Sequence, residues 1–246
     1  MELKINRNTF LEGIQKTLGI VEKKTTMPIL NNVLLTTENN KLKIIATDRE
    51  ISLISYYDAE ITEKGDITLS AKKLYEMVRE IQGDVINFSK INNVVKISCQ
   101  RAVYKFSGLP ADDFPSVADD GDVKFYNIQG SILKDLINKT AFAMATDETR
   151  KNLNGVLLEA GAEGVNYFFR MVATDGHRLA LAKCEASEFC QEMAKGIIIP
   201  RKGLMEVKKI VDENESVGIG LHRNMLIVKA DHTILKVSLV DADYPD

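Results

Sequence analysis

The sequence predicts an α+β fold made of two tandem copies of one domain, each with two helices and antiparallel sheets. The first sign is a long-range repeat: Leu30, Asn31, Asn32, Val33, Leu34, Leu35 returns as Leu153, Asn154, Gly155, Val156, Leu157, Leu158, five matches in six at an offset of 123. The second is that the offset only grows. Ala46, Thr47, Asp48 returns as Ala173, Thr174, Asp175 at offset 127, and Asp113, Phe114, Pro115 as Asp243, Tyr244, Pro245 at offset 130. A repeat of roughly 125 residues exceeds solenoid and propeller units and has the size of a complete domain. The third is that each copy shows only two stretches of helical periodicity, separated by runs of short β-branched segments, a pattern of antiparallel sheets rather than alternating βαβ units.

Taken in order, Phe10, Leu11, Ile14, Leu18 and Val21 recur at helical spacing after the polar start Asn6 to Asn8. The segment Leu42 to Ala46 reads as a strand. A second helix follows Ser70, with Leu74, Met77, Val78 and Ile81 on one face, and the segments Val85 to Phe88 and Val94 to Ser98 read as strands. The first copy closes at Asp113, Phe114, Pro115, and the acidic connector Ser116 to Asp122 divides domain 1 (1–117) from domain 2 (118–246). Domain 2 opens with a helix carrying Leu133, Leu136, Ile137 and Thr140, with Ser131 as its expected N-cap. Its second helix places Leu204, Val207 and Val211 after Pro200 and Arg201, and Leu226 to Val228 reads as a strand.

At 246 residues, 45% hydrophobic and 27% charged, the chain is long enough for two cores. The start lacks the apolar stretch of a signal peptide and no run is long enough to cross a bilayer, so a cytoplasmic protein without a membrane partner is expected. Cys99, Cys184 and Cys190 are scattered and suit reduced thiols. His177, His222 and His232 lack metal-ligand spacing, and Gly218, Ile219, Gly220 is an incomplete phosphate loop, so no metal or cofactor is expected. Asp175, Gly176, His177 invites an acid–base reading, but adjacent residues seldom form such a pair and no nucleophile motif accompanies them. The formal charge of −3 is unevenly spread: the four helical segments carry +2, +1, +1 and +1, leaving −8 for the rest. Phosphate-facing helices need such an asymmetry, and lysines populating solvated helix faces account for it equally well on charge alone.

Five stretches carry a family resemblance: Met27, Pro28, Ile29, Leu30; Leu109 to Pro115; Leu153, Asn154, Gly155; Ala173 to Leu179; and Pro200, Arg201, Lys202, Gly203. Over essentially its whole length the chain resembles the bacterial β sliding clamps, the β subunits of DNA polymerase III. The resemblance implies a ring of clamp domains, helices lining the hole and sheets outside, that surrounds duplex DNA without catalysing a reaction. It implies phosphate contacts from Lys24, Arg150 and Lys151, and from Arg201 and Lys202 at a helix N-terminus where the dipole adds positive charge. Some clamps present aromatic residues before the Leu, Asn, Gly motif. This chain has Lys151 and Asn152 there, which favours charge attraction over base stacking.

Gly176, His177, Arg178, Leu179 occurs only in the second copy, where the first has Arg49, Glu50, Ile51, Ser52. The resemblance makes this segment part of a hydrophobic groove that receives short linear peptides from the polymerase α subunit, the clamp-loader δ subunit and repair proteins. The groove residues carried over are Leu153, Thr174, Gly176, His177, Arg178, Leu179 and Pro245, with Leu153 and Leu179 as apolar floor and Arg178 packing its stem with the charge outward. The resemblance also assigns Lys73, Lys105 and Phe106 to a ring-closing face. Asp48 and Asp175, present in both copies, are expected to cap the turn leaving a strand. Family members carry three domains and close as a head-to-tail homodimer, whereas the third clamp domain is absent from the sequence ending at Asp246. A truncated form and a two-domain clamp closing as a trimer are both compatible, and the motifs favour truncation. The rival functions are an adaptor of the same fold that never encircles DNA and a small hydrolase centred on His177.

Overall fold

The structure, a computed structural model, describes residues 1–21, 27–117, 121–147, 149–188 and 190–245. The chain divides into two compact units, 1–118 and 119–246. Lys24 lies outside the described residues.

Unit 1 runs β1 (Glu2–Asn6), α1 (Arg7–Thr17), β2 (Asn32–Glu38), β3 (Lys41–Thr47), β4 (Ile51–Asp58), β5 (Glu60–Glu63), β6 (Asp66–Ser70), α2 (Ala71–Glu80), β7 (Val85–Ile91), β8 (Val94–Cys99) and β9 (Ala102–Ser107). Strands β5-β1-β7-β8-β9 form one antiparallel sheet, and β4-β3-β2-β6 pair antiparallel in that order. Helix α1 starts where Asn6, still extended, accepts the Asn8 and Thr9 amides on Oδ1 at 2.9 and 3.2 Å. It stops at Thr17, short of the Val21 that periodicity reached. The Thr17 hydroxyl donates to the Ile14 carbonyl at 2.6 Å, and the Leu18 and Ile20 amides bond three residues back, tightening the last turn. Phe10 and Ile14 on α1, Leu74 and Val78 on α2, Ile44 on β3 and Phe88 on β7 belong to the core of unit 1, none of these six side chains being more than 1% exposed. The Arg7 guanidinium donates to the Val78 and Arg79 carbonyls, placing a cation on the negative end of α2.

Unit 2 repeats the plan: β10 (Tyr126–Gln129), α3 (Gly130–Thr140), β11 (Gly155–Glu163), β12 (Asn166–Thr174), β13 (Leu179–Ala186), β14 (Ile197–Pro200), α4 (Arg201–Glu213), β15 (Ser216–His222), β16 (Met225–Ala230) and β17 (Thr233–Ser238). Strands β13-β12-β11-β14 form one antiparallel sheet and β10-β15-β16-β17 pair in that order, so β5 alone has no counterpart. Leu133, Leu136 and Ile137 of α3 and Leu204 of α4 are buried with Val156, Met171, Ile219 and Val228 from the strands. The expected Ser131 cap is not used. Helix α3 begins two residues earlier than that cap implies, at Gly130, whose amide donates to the Glu215 carbonyl at 2.7 Å, so a main-chain partner serves instead of a hydroxyl. The three cysteines are free thiols, Cys99 and Cys190 buried and Cys184 half-buried.

Candidate peptide-binding groove and cationic helices

The Ala, Thr, Asp repeat builds one turn twice. The Thr47 hydroxyl donates to the Ile51 carbonyl at 3.0 Å and accepts the Arg49 amide, while Asp48 Oδ1 accepts the Glu50 and Ile51 amides. In unit 2 the Thr174 hydroxyl donates to the Arg178 carbonyl at 2.7 Å and accepts the Gly176 amide, while Asp175 Oδ1 accepts the His177 and Arg178 amides, both at 3.0 Å. Both aspartates thus cap the turn by side-chain acceptance of amides, as their recurrence predicts. The third position of each turn has positive φ, 81° at Arg49 and 88° at Gly176, so only the second copy places the residue type suited to it.

Beside this turn in unit 2 lies a depression of about 1190 Å³. Leu153, Thr174, Gly176, Leu179 and Pro245 line it, five of the seven residues expected there. Its apolar stretch is wider than the sequence reading allowed, because Leu157 of β11, Val172 of β12 and Leu181 of β13 also face it, and Tyr244 stands beside Pro245. Leu181 was recoverable: two residues after Leu179 in a strand, it must share its face. Leu179 and Leu181 are 66% and 54% exposed on an edge strand, so the mouth is apolar and open. Arg170 and Glu159, which form an ion pair, also line it, as do Lys195 and Asp241.

His177 and Arg178 line a separate, shallower depression with Met144, Asp147 and Arg150. Arg178 is exposed, and its guanidinium is held at the surface by neighbours of its own unit. Its Nε donates to Asp175 Oδ2 at 2.9 Å, its Nη2 to the Phe142 carbonyl at 2.7 Å, and the guanidinium lies 5.6 Å from the centre of the Phe142 ring. With both carboxylate oxygens of Asp175 engaged, His177 gains no acid–base partner from it, which removes the geometric basis of the hydrolase reading.

The His177 amide, followed by the Arg178 amide and side chain, holds the Asp175 carboxyl down at about 2 from its ordinary 3.8. A folded-state value below the unfolded one stabilises the turn above about pH 4, and that contribution disappears as pH falls toward 2. The carboxyl-carbon shift of Asp175 in an NMR titration is therefore expected to turn over near pH 2. A midpoint at 3.8 would show the turn to be unformed in solution.

Arg150 and Lys151 are exposed in the loop before β11, and Lys202 is exposed in the first turn of α4. Arg201 is half-buried, and its Nη2 donates to the Met144 and Ala145 carbonyls at 2.9 and 3.1 Å, so this cation braces the 144–145 loop. As they stand, α1, α2, α3 and α4 each carry a net +1. Much of their charge is paired, with Lys139 to Asp135 at 2.6 Å, Lys134 to Asp212 at 2.8 Å across α3 and α4, and Lys209 to Glu206 at 2.7 Å. In unit 1, Lys105 and Phe106 lie on β9, the edge of its sheet, with Val103 and Tyr104 exposed beside them, and Lys73 is exposed on α2.

A sheet-backed helix pair occurring twice, with an apolar groove beside the second-copy turn, defines a clamp-domain protein. Comparison with known proteins makes this specific. Residues 1–118 match the family model of the DNA polymerase III beta subunit N-terminal domain and residues 127–246 that of its central domain. All of the chain aligns with the beta sliding clamps of Caulobacter vibrioides, at 35% identity over 250 residues and 67% of that protein, and Pseudomonas aeruginosa, at 34% over 249 residues and 66%. Among solved structures, the Caulobacter crescentus DNA polymerase sliding clamp superposes with a TM-score of 0.93 at 34% identity, covering 100% of this chain and 67% of the other. The Pseudomonas aeruginosa clamp bound to griselimycin superposes with a TM-score of 0.91 at 34% identity, covering 100% of this chain and 66% of the other. The chain belongs to the bacterial β sliding clamp family, the β subunits of DNA polymerase III. It spans about two thirds of the length of the relatives it matches.

Proposed function

We propose that the protein is a non-catalytic processivity factor of DNA polymerase III that acts in the cytoplasm, surrounds duplex DNA and tethers enzymes through the unit 2 groove. The observation that carries this reading is the open apolar groove beside a turn whose glycine occurs in the second copy alone. A groove of this size with a leucine-lined mouth suits the apolar side chains of a short peptide. The polymerase α subunit, the clamp-loader δ subunit and repair proteins would present such peptides. Griselimycin, bound by the Pseudomonas aeruginosa relative, is proposed as a ligand of the same groove.

One net positive charge per helix supplies mild, sequence-independent attraction to phosphates, which holds DNA without arresting sliding. Lys24, Arg150, Lys151 and Lys202 are the proposed phosphate contacts. The unpaired edge of β9, with Val103, Tyr104 and Phe106 beside Lys105, would accept a strand of another subunit as the ring closes, and Lys73 on α2 is assigned to the same ring-closing face. The family's arrangement, a homodimer of three-domain chains, is the assembly proposed.

Retention on nicked circular DNA, lost when the DNA is linearised, is the expected result. Retention that survives linearisation, or none on the circle, would instead favour an adaptor that never encircles DNA. Neutralising Lys24, Arg150 and Lys151 together is expected to lower the slope of log affinity against log salt by roughly 1–3, read by fluorescence anisotropy on duplex DNA. An unchanged slope would remove these three from the DNA-facing set.

A further inference from the structure

We propose that Tyr244 and Asn152 are positioning residues of the groove, two polar straps that fasten its 241–245 wall, one to the Thr174 turn and the other to the loop before β11. The inference rests on the groove reading above and adds the device that keeps the groove in shape. Residues 239 and 240 are held by main-chain bonds, Leu239 N to the Asn224 carbonyl and Val240 N to the Ile198 carbonyl, both at 3.0 Å. Beyond them, among the described residues, the wall is fastened by two side-chain bonds. Asn152 Nδ2 donates to the Asp243 carbonyl at 3.2 Å, and the Tyr244 hydroxyl accepts the Thr174 amide at 3.0 Å. Thr174 opens the turn that places Gly176 and Leu179 at the groove, so the second bond joins the wall to that turn.

The internal repeat separates this arrangement from ordinary packing. Phe114 stands at the Tyr244 position of the first copy and Ile29 at the Asn152 position, and both are buried, at 7% and 8% exposure. Phe114 closes a 3-10 turn over Ala111–Asp113 through its own amide, so the first-copy segment is held by main chain and burial. Both polar replacements occur in the copy that has the groove, and each makes one of the two bonds that fasten the wall. An apolar ring and an isoleucine would fill space there, whereas the hydroxyl and the carboxamide fix direction.

The test compares Tyr244→Phe and Asn152→Ala with the unaltered chain, using griselimycin as probe. Phe occupies the equivalent place in the first copy, so the Tyr244→Phe fold is expected to survive. A wall that is only part of the time in place raises the apparent Kd by the reciprocal of its occupancy. Each change is expected to weaken griselimycin about threefold to tenfold, chiefly through slower association by surface plasmon resonance. Amide hydrogen exchange supplies a second readout: Tyr244→Phe is expected to accelerate exchange at Thr174 while leaving Met171, inside β12, unchanged. Unaltered affinity in both variants, or unaltered protection of Thr174 in Tyr244→Phe, would overturn the strap. No binding by the unaltered chain would overturn the groove reading itself, and this role with it.

Discussion

A chain carrying Leu179→Ser and Leu181→Ser is expected to fold like the unaltered protein and to lose griselimycin or partner-peptide affinity by roughly 100-fold. Burying a leucine fully is worth about 1.5–3 kcal/mol. Leu179 and Leu181, 66% and 54% exposed in the free chain, have more than half of that surface left to bury against a ligand. Two such side chains together supply about 2–3 kcal/mol, which is on the order of 30- to 150-fold in Kd. Their exposure also protects the fold, because substitutions at exposed positions usually change stability by no more than about 0.5 kcal/mol. Leu153 makes the contrast. At 9% exposure it is both groove floor and core, so its loss would confound binding with unfolding. Calorimetric titration of the double variant, with circular dichroism as the folding control, checks the prediction. Undiminished affinity would mean that the ligand does not lie across β13.

The parts of the molecule that could be read in the sequence are those set by local chemistry. Helix periodicity placed all four helices, because each buries one stripe against strands of its own unit. The Thr, Asp pair was legible as a turn because its acceptors bond amides two and three residues away. Local chemistry does not show which distant main-chain groups a side chain will meet. Arg201 resembles a phosphate ligand from its helix N-terminal position, but the carbonyls that engage it belong to residues 144 and 145, more than fifty positions earlier. Arg178 likewise finds the Phe142 carbonyl, 36 positions earlier. Ser131 is not the cap because α3 already begins at Gly130, whose amide is taken by the carbonyl of Glu215, just past the end of α4. Tyr244 is a subtler miss. It matches Phe114 in the repeat, and the one atom by which the two differ, the hydroxyl, forms the bond to Thr174.

Gly130→Ala is expected to cost unit 2 about 3 kcal/mol, at the upper end of overpacking effects. A Cβ on Gly130 would lie 2.1 Å from the Asn214 carbonyl oxygen and 3.1 Å from that of Val211. Both are main-chain atoms at the C-terminal end of α4, so no side-chain rotation relieves the clash, and α3 and α4 must separate. The Lys134 to Asp212 ion pair spans the same two helices and would be stretched as they part. The first copy explains why a large residue is tolerated at the matching place. Arg7 stands there, and its guanidinium reaches the α2 carbonyls at 78 and 79. Helix α2 has 10 residues where α4 has 13, so the main chain at the end of each helix need not meet its partner helix in the same way. Thermal unfolding is the measurement, with a fall in midpoint of roughly 10 °C expected for a unit of this size. Gly164→Ala is the control: its φ of 63° imposes a conformational cost of about 1–2 kcal/mol, but no atom lies within 4 Å of the added carbon. A smaller loss at Gly130 than at Gly164 would mean that the two helices are not pressed together at their ends.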